Sequence, residues 1–190
     1  RLGMADNTLI LFTSDHGSHF RTRNSEYKRA CHDGCTRIPM VACGPGFRGG
    51  TVVEQLVSLI DTPPTVLAAA GVPVPGAMRG RPLQQVVSGA AADWPDDVFL
   101  QISESHTGRA IRTHRWKYSV RAPERQGSGD WSSDRYVEDF LYDLEADPHE
   151  RCNLVADPQY AAVRAQLRER LLVRLERAGE GRPAVVPADR

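Results

Sequence analysis

Apolar and β-branched residues run without interruption through Thr8-Leu9-Ile10-Leu11-Phe12-Thr13, then stop at Ser14-Asp15-His16-Gly17. An unbroken run of this length predicts a strand over about 8–14, buried on both faces. A polar loop over 15–36 follows. The next apolar stretch, Arg37-Ile38-Pro39-Met40-Val41-Ala42-Cys43, predicts a second strand closed by the turn Gly44-Pro45-Gly46. Asp61 is a good N-cap, and Pro63 and Pro64 suit a first helical turn, so a helix is expected through Val66–Ala70, ending at Gly71. Val72-Pro73-Val74-Pro75-Gly76 then reads as a stiff, extended connection.

The texture changes across 88–97, which predicts a boundary. Val98–Ser103 reads as a strand. Ala110–Thr113 and Trp116–Val120 alternate with period two around a tight turn at His114-Arg115, and Phe140–Leu144 is another short strand. Together these predict a small antiparallel sheet. Asp157-Pro158 opens a last helix, as N-cap and N1. Its Tyr160, Val163, Leu167, Leu171 and Leu175 share one face, which predicts packing on the sheet rather than a membrane or partner helix. Residues 179–190 are expected to fray.

Composition narrows the functional classes. The 190 residues are 41% hydrophobic and 25% charged, with zero formal net charge. That balance argues against a binder of nucleic acid or of an anionic membrane surface, which needs a basic field. No apolar stretch approaches the roughly 20 residues of a membrane span. Arg1-Leu2-Gly3-Met4-Ala5-Asp6-Asn7 reads like the end of a helix and a turn, so an upstream segment is expected. The four cysteines (Cys31, Cys35, Cys43 and Cys152) are unevenly spaced and do not form the framework of a small secreted domain. Cys31 and Cys35 beside His32 are a minor zinc candidate.

The candidate chemistry lies at the end of the first strand. Asp15 and His16 are half of a metal site, though such a pair also serves simply to cap a turn. The loop behind them carries His19, Arg21, Arg23, Lys28, Arg29, His32, Asp33 and Arg37. So many cations between two strands are costly unless an anion or carboxylates balance them. A divalent metal with a fixed lysine is a common way to grip a tetrahedral oxyanion, and Lys28 fits the second role.

The strings Thr13-Ser14-Asp15-His16-Gly17, Tyr27-Lys28-Arg29, His32-Asp33, Arg37-Ile38-Pro39-Met40 and Gly44-Pro45-Gly46 resemble the C-terminal half of a type I sulfatase, of the alkaline-phosphatase-like superfamily. Ser58–Thr65, the Arg112-Thr113…Trp116-Lys117-Tyr118 hairpin and Leu141–Glu150 with Asn153-Leu154 extend the resemblance over about 6–178. It implies an α/β fold: the C-terminal part of an alkaline-phosphatase-like sheet domain over 1–90, then a small α+β subdomain over 95–178 with an antiparallel sheet and C-terminal helix, and a tail over 179–190. It implies Asp15 and His16 as metal ligands, the metal being Ca²⁺ first, with Mn²⁺ or Mg²⁺ as alternatives. It implies Lys28 as a catalytic contact to the sulfate. His19 and His32 are further substrate-side candidates, and Asp33 and Arg37 are expected to tie the loop together by a salt bridge. His106 and Arg109 are candidates for selecting a small-molecule sulfate ester.

The family nucleophile, a Cys-x-Pro-Ser-Arg cysteine converted to formylglycine, has no counterpart here. Cys43-Gly44-Pro45-Gly46-Phe47 lacks the closing arginine. Formylglycine is therefore expected only in a preceding N-terminal part, and this chain alone is expected not to turn over sulfate esters. The same cradle suits a phosphonate or phosphodiester hydrolase, and a non-catalytic remnant of the fold is a third reading.

Overall fold

The computed structural model describes residues 3–47 and 49–188. It divides into two compact units, Arg1–Asp15 with Ile38–Asp96, and His16–Arg37 with Asp97–Arg190.

In the first unit, β1 (Ile10–Thr13) pairs antiparallel with β2 (Met40–Cys43), Ile10 opposite Cys43 and Thr13 opposite Met40. The Thr13 hydroxyl donates to the Pro39 carbonyl at 2.9 Å and secures the far end of the pair. The expectation that β1 is buried on both faces does not hold. Cross-strand neighbours Phe12 and Val41 are 64% and 60% exposed. Among the described residues the strand has one hydrogen-bonded neighbour, and a two-stranded sheet cannot cover both of its own faces.

Asp61 does not cap the following helix α2 (Thr62–Ala69) with its side chain. Its carboxylate accepts instead from the Ser58 and Arg81 amides, each at 2.8 Å, closing a capping box around the turn Leu59–Asp61. Thr65 is fully buried and joins α2 to the next segment: its hydroxyl donates to the Asp61 carbonyl and accepts from the Leu83 amide. The helix ends at Gly71, whose φ of +69° is the left-handed conformation that glycine adopts at low cost. A single turn, α3 (Gln84–Val87), follows.

In the second unit the loop 16–37 contains one short helix, α1 (Asp33–Thr36). The remainder is a five-stranded sheet in sequence order: β3 (Asp97–Ser103), β4 (Thr107–Thr113), β5 (Trp116–Ala122), β6 (Arg135–Asp143) and β7 (Ala184–Val186). The first four strands are antiparallel, as the period-two runs predict, and β7 pairs parallel with β6. Residues 179–190 are thus no frayed tail over their described part. They carry β7 and also Glu180, whose carboxylate pairs with the fully buried Arg109 at 2.9 Å.

Alternation assigns the two faces of this sheet. Ile111, Tyr118, Val120 and Leu141 point to one side, where Leu167, Leu171 and Leu175 of α4 (Ala161–Ala178) complete a core. Ala110, Phe140 and Tyr142 point to the other side and pack with Cys31 from the loop. The sheet is therefore covered by a helix on one face and by the polar loop on the other, so the loop's position is set by the sheet.

Candidate functional site

The loop leaves β1 through Gly17, and no other residue fits there. A Cβ at Gly17 would lie 2.2 Å from the Gly34 carbonyl oxygen, and the Gly17 amide donates to the Cys35 carbonyl at 2.8 Å. This close approach ties Gly17 to α1 and fixes the start of the loop.

His16 follows from that geometry. Its Nδ1 lies 2.8 Å from the Gly17 carbonyl oxygen, a contact that only a protonated Nδ1 satisfies. The hydrogen-bond network thereby assigns the tautomer, and Nε2 keeps its lone pair. The Lys28 ammonium lies 3.0 Å from that nitrogen, donating to it. Lys28 is also 5.6 Å from the centre of the Tyr27 ring, and that ring stands edge-on to His16. Two of the three ammonium protons remain for an anion. The structure thus brings Lys28 and His16 together. Asp15 is the last residue of the first unit, is exposed, and lies 3.5 Å from the Ser14 hydroxyl.

His19 is 5% exposed, and among the described residues neither of its ring nitrogens finds a hydrogen-bond partner. Its main chain is firmly held, with its amide donating to the Tyr27 carbonyl at 2.8 Å. His32 packs against the Phe140 ring at 4.6 Å and the Tyr142 ring at 5.6 Å. Burial, then the positive charges of Arg23 and Lys117, push its imidazole down to about 3, so it stays neutral. Burial likewise pushes the Cys31 thiol up to about 12, which makes it an inert core group. All four cysteines are free, and among the described residues no group of three or more His, Cys, Asp or Glu side chains could hold a metal ion.

The expected Asp33–Arg37 salt bridge is replaced by a larger cluster. Arg112 and Lys117 face each other across β4 and β5, an unfavourable pairing of like charges unless acids intervene. Asp33 and Glu150 supply them. The fully buried Lys117 ammonium contacts the Asp33 carboxylate and lies 2.6 Å from that of Glu150. Arg112 reaches Asp33 at 3.3 Å, and Glu150 accepts from the Asp33 amide at 2.7 Å. Burial raises the Asp33 carboxyl, and Lys117 and Arg112 together pull it below the ordinary carboxylate range. Arg23 adds a second anchor, donating to the His149 and Glu150 carbonyls at 2.6 and 2.7 Å. Arg37 is exposed, so a bridge from it would have replaced a buried pair with a solvated one.

Sequence reasoning missed Lys117, Glu150, Arg112 and Arg23 as the groups that hold the loop. The available signal was a lysine inside the apolar strand Trp116–Val120. Of the two candidates for substrate selection, Arg109 is an internal brace: besides Glu180 it bonds the Ile102, Gly108 and Trp131 carbonyls. His106 lies 3.0 Å from the Ser105 hydroxyl through Nδ1.

Comparison with known proteins adds to this picture. A family model described as N-sulphoglucosamine sulphohydrolase, C-terminal, matches residues 25–177. Rattus norvegicus Arylsulfatase K is 30% identical over 169 residues, covering 83% of this chain and 28% of the relative. Bacteroides thetaiotaomicron N-acetylglucosamine-6-O-sulfatase is 27% identical over 179 residues, covering 90% and 30%. A structure solved in complex with its substrate D-glucosamine-2-N,6-O-disulfate superposes with a TM-score of 0.80 at 26% identity, covering 96% of this chain and 37% of that one. The phosphonate monoester hydrolase of Agrobacterium radiobacter superposes at 0.74 and 28% identity, covering 94% and 36%. The chain spans under two fifths of the length of each of these proteins.

Proposed function

We propose, from the premise that this chain belongs to the N-sulphoglucosamine sulphohydrolase C-terminal family, that it supplies the anion-binding side of a sulfate-ester hydrolase active site. The observation that carries this reading is the Lys28 ammonium held 3.0 Å from His16 Nε2. It sits on a loop pinned at Gly17, Arg23 and Asp33 and retains protons for a tetrahedral anion. Residues 1–90 would be the C-terminal part of the catalytic α/β domain. Residues 95–178 would form the subdomain on which the anion-binding loop rests.

Each residue has a role in that reading. Lys28 is the catalytic residue that contacts the sulfate, neutralising charge as the ester's S–O bond breaks and water completes an alcohol and a sulfate. Its ammonium stands beside His16 and the Tyr27 ring, and it would leave His16 Nε2 for the anion when a metal takes that lone pair. Asp15 and His16, consecutive in the chain, would be donors to a divalent cation, Ca²⁺ first and Mn²⁺ or Mg²⁺ as alternatives. The metal, when bound, would polarise a sulfate oxygen. The His16 tautomer fits such a role, since a carbonyl on Nδ1–H is the usual support for a metal-binding Nε2, and a metal there would take the lone pair that the Lys28 ammonium otherwise uses. Two donors fall short of the six to eight that Ca²⁺ takes, so the remaining ligands and the formylglycine nucleophile would come from a segment outside these 190 residues. His19 and His32 would line the substrate side of the loop, His19 presenting two unpartnered nitrogens.

The likeness to a phosphonate monoester hydrolase supports a second reading, hydrolysis of a phosphonate or phosphodiester in the same cradle. One experiment separates the two. The longer protein containing this chain is assayed with an aryl sulfate and an aryl phosphonate, each with Ca²⁺, Mn²⁺ and Mg²⁺, alongside Lys28→Ala. Sulfate hydrolysis should dominate, and the variant should lose about 100-fold or more in kcat/KM, the usual effect of removing one charge-stabilising donor. A preference for the phosphonate selects the second reading. A Lys28→Ala variant as active as wild type would sink both.

A further inference from the structure

Lys28 lies in a stretch of turns ahead of α1, with no helix or strand of its own. Its ammonium ends a flexible stem, so where that charge sits depends on what fixes the backbone beneath it. Two contacts do this, at equal distances along the chain. Before Lys28, the Arg23 guanidinium donates to the His149 and Glu150 carbonyls at 2.6 and 2.7 Å. After it, the Asp33 amide donates to the Glu150 carboxylate at 2.7 Å. Glu150 therefore receives both ends of 23–33, one on its carbonyl and one on its side chain. Within that interval the chain is braced locally. The Asn24 side-chain amide donates to the Arg29 carbonyl at 3.1 Å, and its Oδ1 accepts from the Glu26 amide at 2.8 Å. A shift at either end is therefore passed on to Lys28 rather than absorbed beside it.

Glu150 is an unexpected residue at its place. It is 2% exposed, and its backbone is left-handed, φ +54°, as at only three other non-glycine positions among the described residues. Such a conformation costs about 1–2 kcal/mol and persists where the surroundings impose it. The turn accounts for the backbone: the Glu150 amide donates to the Asp147 carbonyl at 3.0 Å, and the Asp147 carboxylate accepts from the Arg151 and Cys152 amides at 2.6 and 2.8 Å. Glycine or asparagine would adopt that turn with less strain. Neither offers a carboxylate whose two oxygens face two donors. Here Oε1 lies 2.6 Å from the fully buried Lys117 ammonium, and Oε2 takes the Asp33 amide.

We infer that Glu150 is a positioning residue for Lys28: it clasps 23–33 at both ends and so sets where the ammonium meets the anion. This rests on the proposed function for the anion at Lys28. A residue that only stabilised the fold would lower activity whether or not Lys28 were present. A clasp acts through Lys28, so its loss should matter only while Lys28 is there.

The test is a double-mutant cycle in the longer protein that contains this chain, with an aryl sulfate as substrate. The variants are Lys28→Ala, Glu150→Gln, their combination, and Glu150→Asp. Glutamine keeps the size but turns an NH₂ toward Lys117 or the Asp33 amide, donor against donor. Aspartate keeps the charge and tolerates the left-handed backbone. Glu150→Gln should lower kcat/KM about tenfold or more per folded molecule, the scale of a small displacement at a reacting centre. Glu150→Asp should recover part of this, and adding Glu150→Gln to Lys28→Ala should cost less than about twofold. Hydrogen–deuterium exchange reads the clasp without turnover. Amides of 24–32 should exchange about tenfold faster in Glu150→Gln, while those of Leu171 and Leu175 stay unchanged. If Glu150→Gln does not fold, Glu150→Asp carries the same cycle, with smaller shifts of the same sign. Equal losses with and without Lys28, or unchanged exchange over 24–32, would overturn the inference. Lys28→Ala as active as wild type, with 24–32 still loosened by Glu150→Gln, would instead overturn the anion-binding reading and leave the clasp standing.

Discussion

His32 shows how a single residue can be read two ways. From sequence it is one more polar side chain on a cationic loop, available to a substrate or to zinc. In the fold its ring lies against Phe140 and Tyr142, and burial with the nearby Arg23 and Lys117 charges holds its imidazole down to about 3. The folded state therefore resists a proton that the unfolded chain takes up near pH 6.5. The sign follows: the neutral His32 contributes stability that is present above about pH 6.5 and is lost as pH falls toward 3. One proton corresponds to a slope of at most about 1.4 kcal/mol per pH unit in that window, less where solvent screens the ring. His32→Phe should fill the same aromatic niche and flatten this part of the urea-unfolding profile between pH 6.5 and 4. Acidic groups such as Asp33 act mainly at the lower end, and the difference between the two proteins removes their share. Identical profiles would show that His32 charges freely in the folded state. Lys117 marks the corresponding limit of sequence reading. Its place in an apolar strand was visible, but its partners Asp33 and Glu150 lie 84 and 33 residues away and only the folded register identifies them.

Elements whose signal is local were legible from the chain. The period-two runs located β4 and β5, the run Val98–Ser103 located β3, and the 3–4 spacing of Leu167, Leu171 and Leu175 correctly assigned the face of α4 that packs on β4 and β5. Two elements were not legible for the same physical reason. β7 is three residues long and forms only because Tyr136 and Val137 offer a free strand edge, and α1 forms only because Gly17 and Glu150 receive its two ends. The helix carries the energetic weight of the second unit's core. Leu171 is fully buried among Ile111, Tyr118 and Leu141. Leu171→Ala should cost about 2–5 kcal/mol, the range for opening a leucine-sized cavity in a packed core. Chemical denaturation should show this as a lower midpoint with an unchanged slope. A loss below about 1 kcal/mol would mean that α4 is held by its Arg170 and Arg174 pairs to Asp97 rather than by its leucines.

At the scale of the whole molecule, the two units differ in how far each can stabilise itself. The second has a five-stranded sheet covered on both faces and a buried ion cluster that is balanced charge for charge. The first relies on a two-stranded sheet in which Ile10, Phe12 and Val41 remain more than half exposed along one face. Burial contributes about 25 cal/mol per Å² of apolar surface, so strands that keep their side chains in water gain little from pairing. An isolated strand pair is marginal in water, and its amides should open locally rather than with the global transition. In the 190-residue chain, amides of Leu11 and Phe12 should therefore exchange with deuterium at least about 30-fold faster than those of Ile111 and Tyr118, a gap of about 2 kcal/mol in opening free energy. The same segments measured in the longer protein carry the functional consequence. The relatives extend this chain by more than half their length, and a sheet strand laid on the Phe12–Val41 face would slow Leu11 and Phe12 while leaving Ile111 and Tyr118 unchanged. Because Asp15 stands two residues beyond Thr13, such slowing would also firm the strand end that presents the candidate metal donors. Equal protection of both strand pairs in the 190-residue chain would show that β1 and β2 need no further cover.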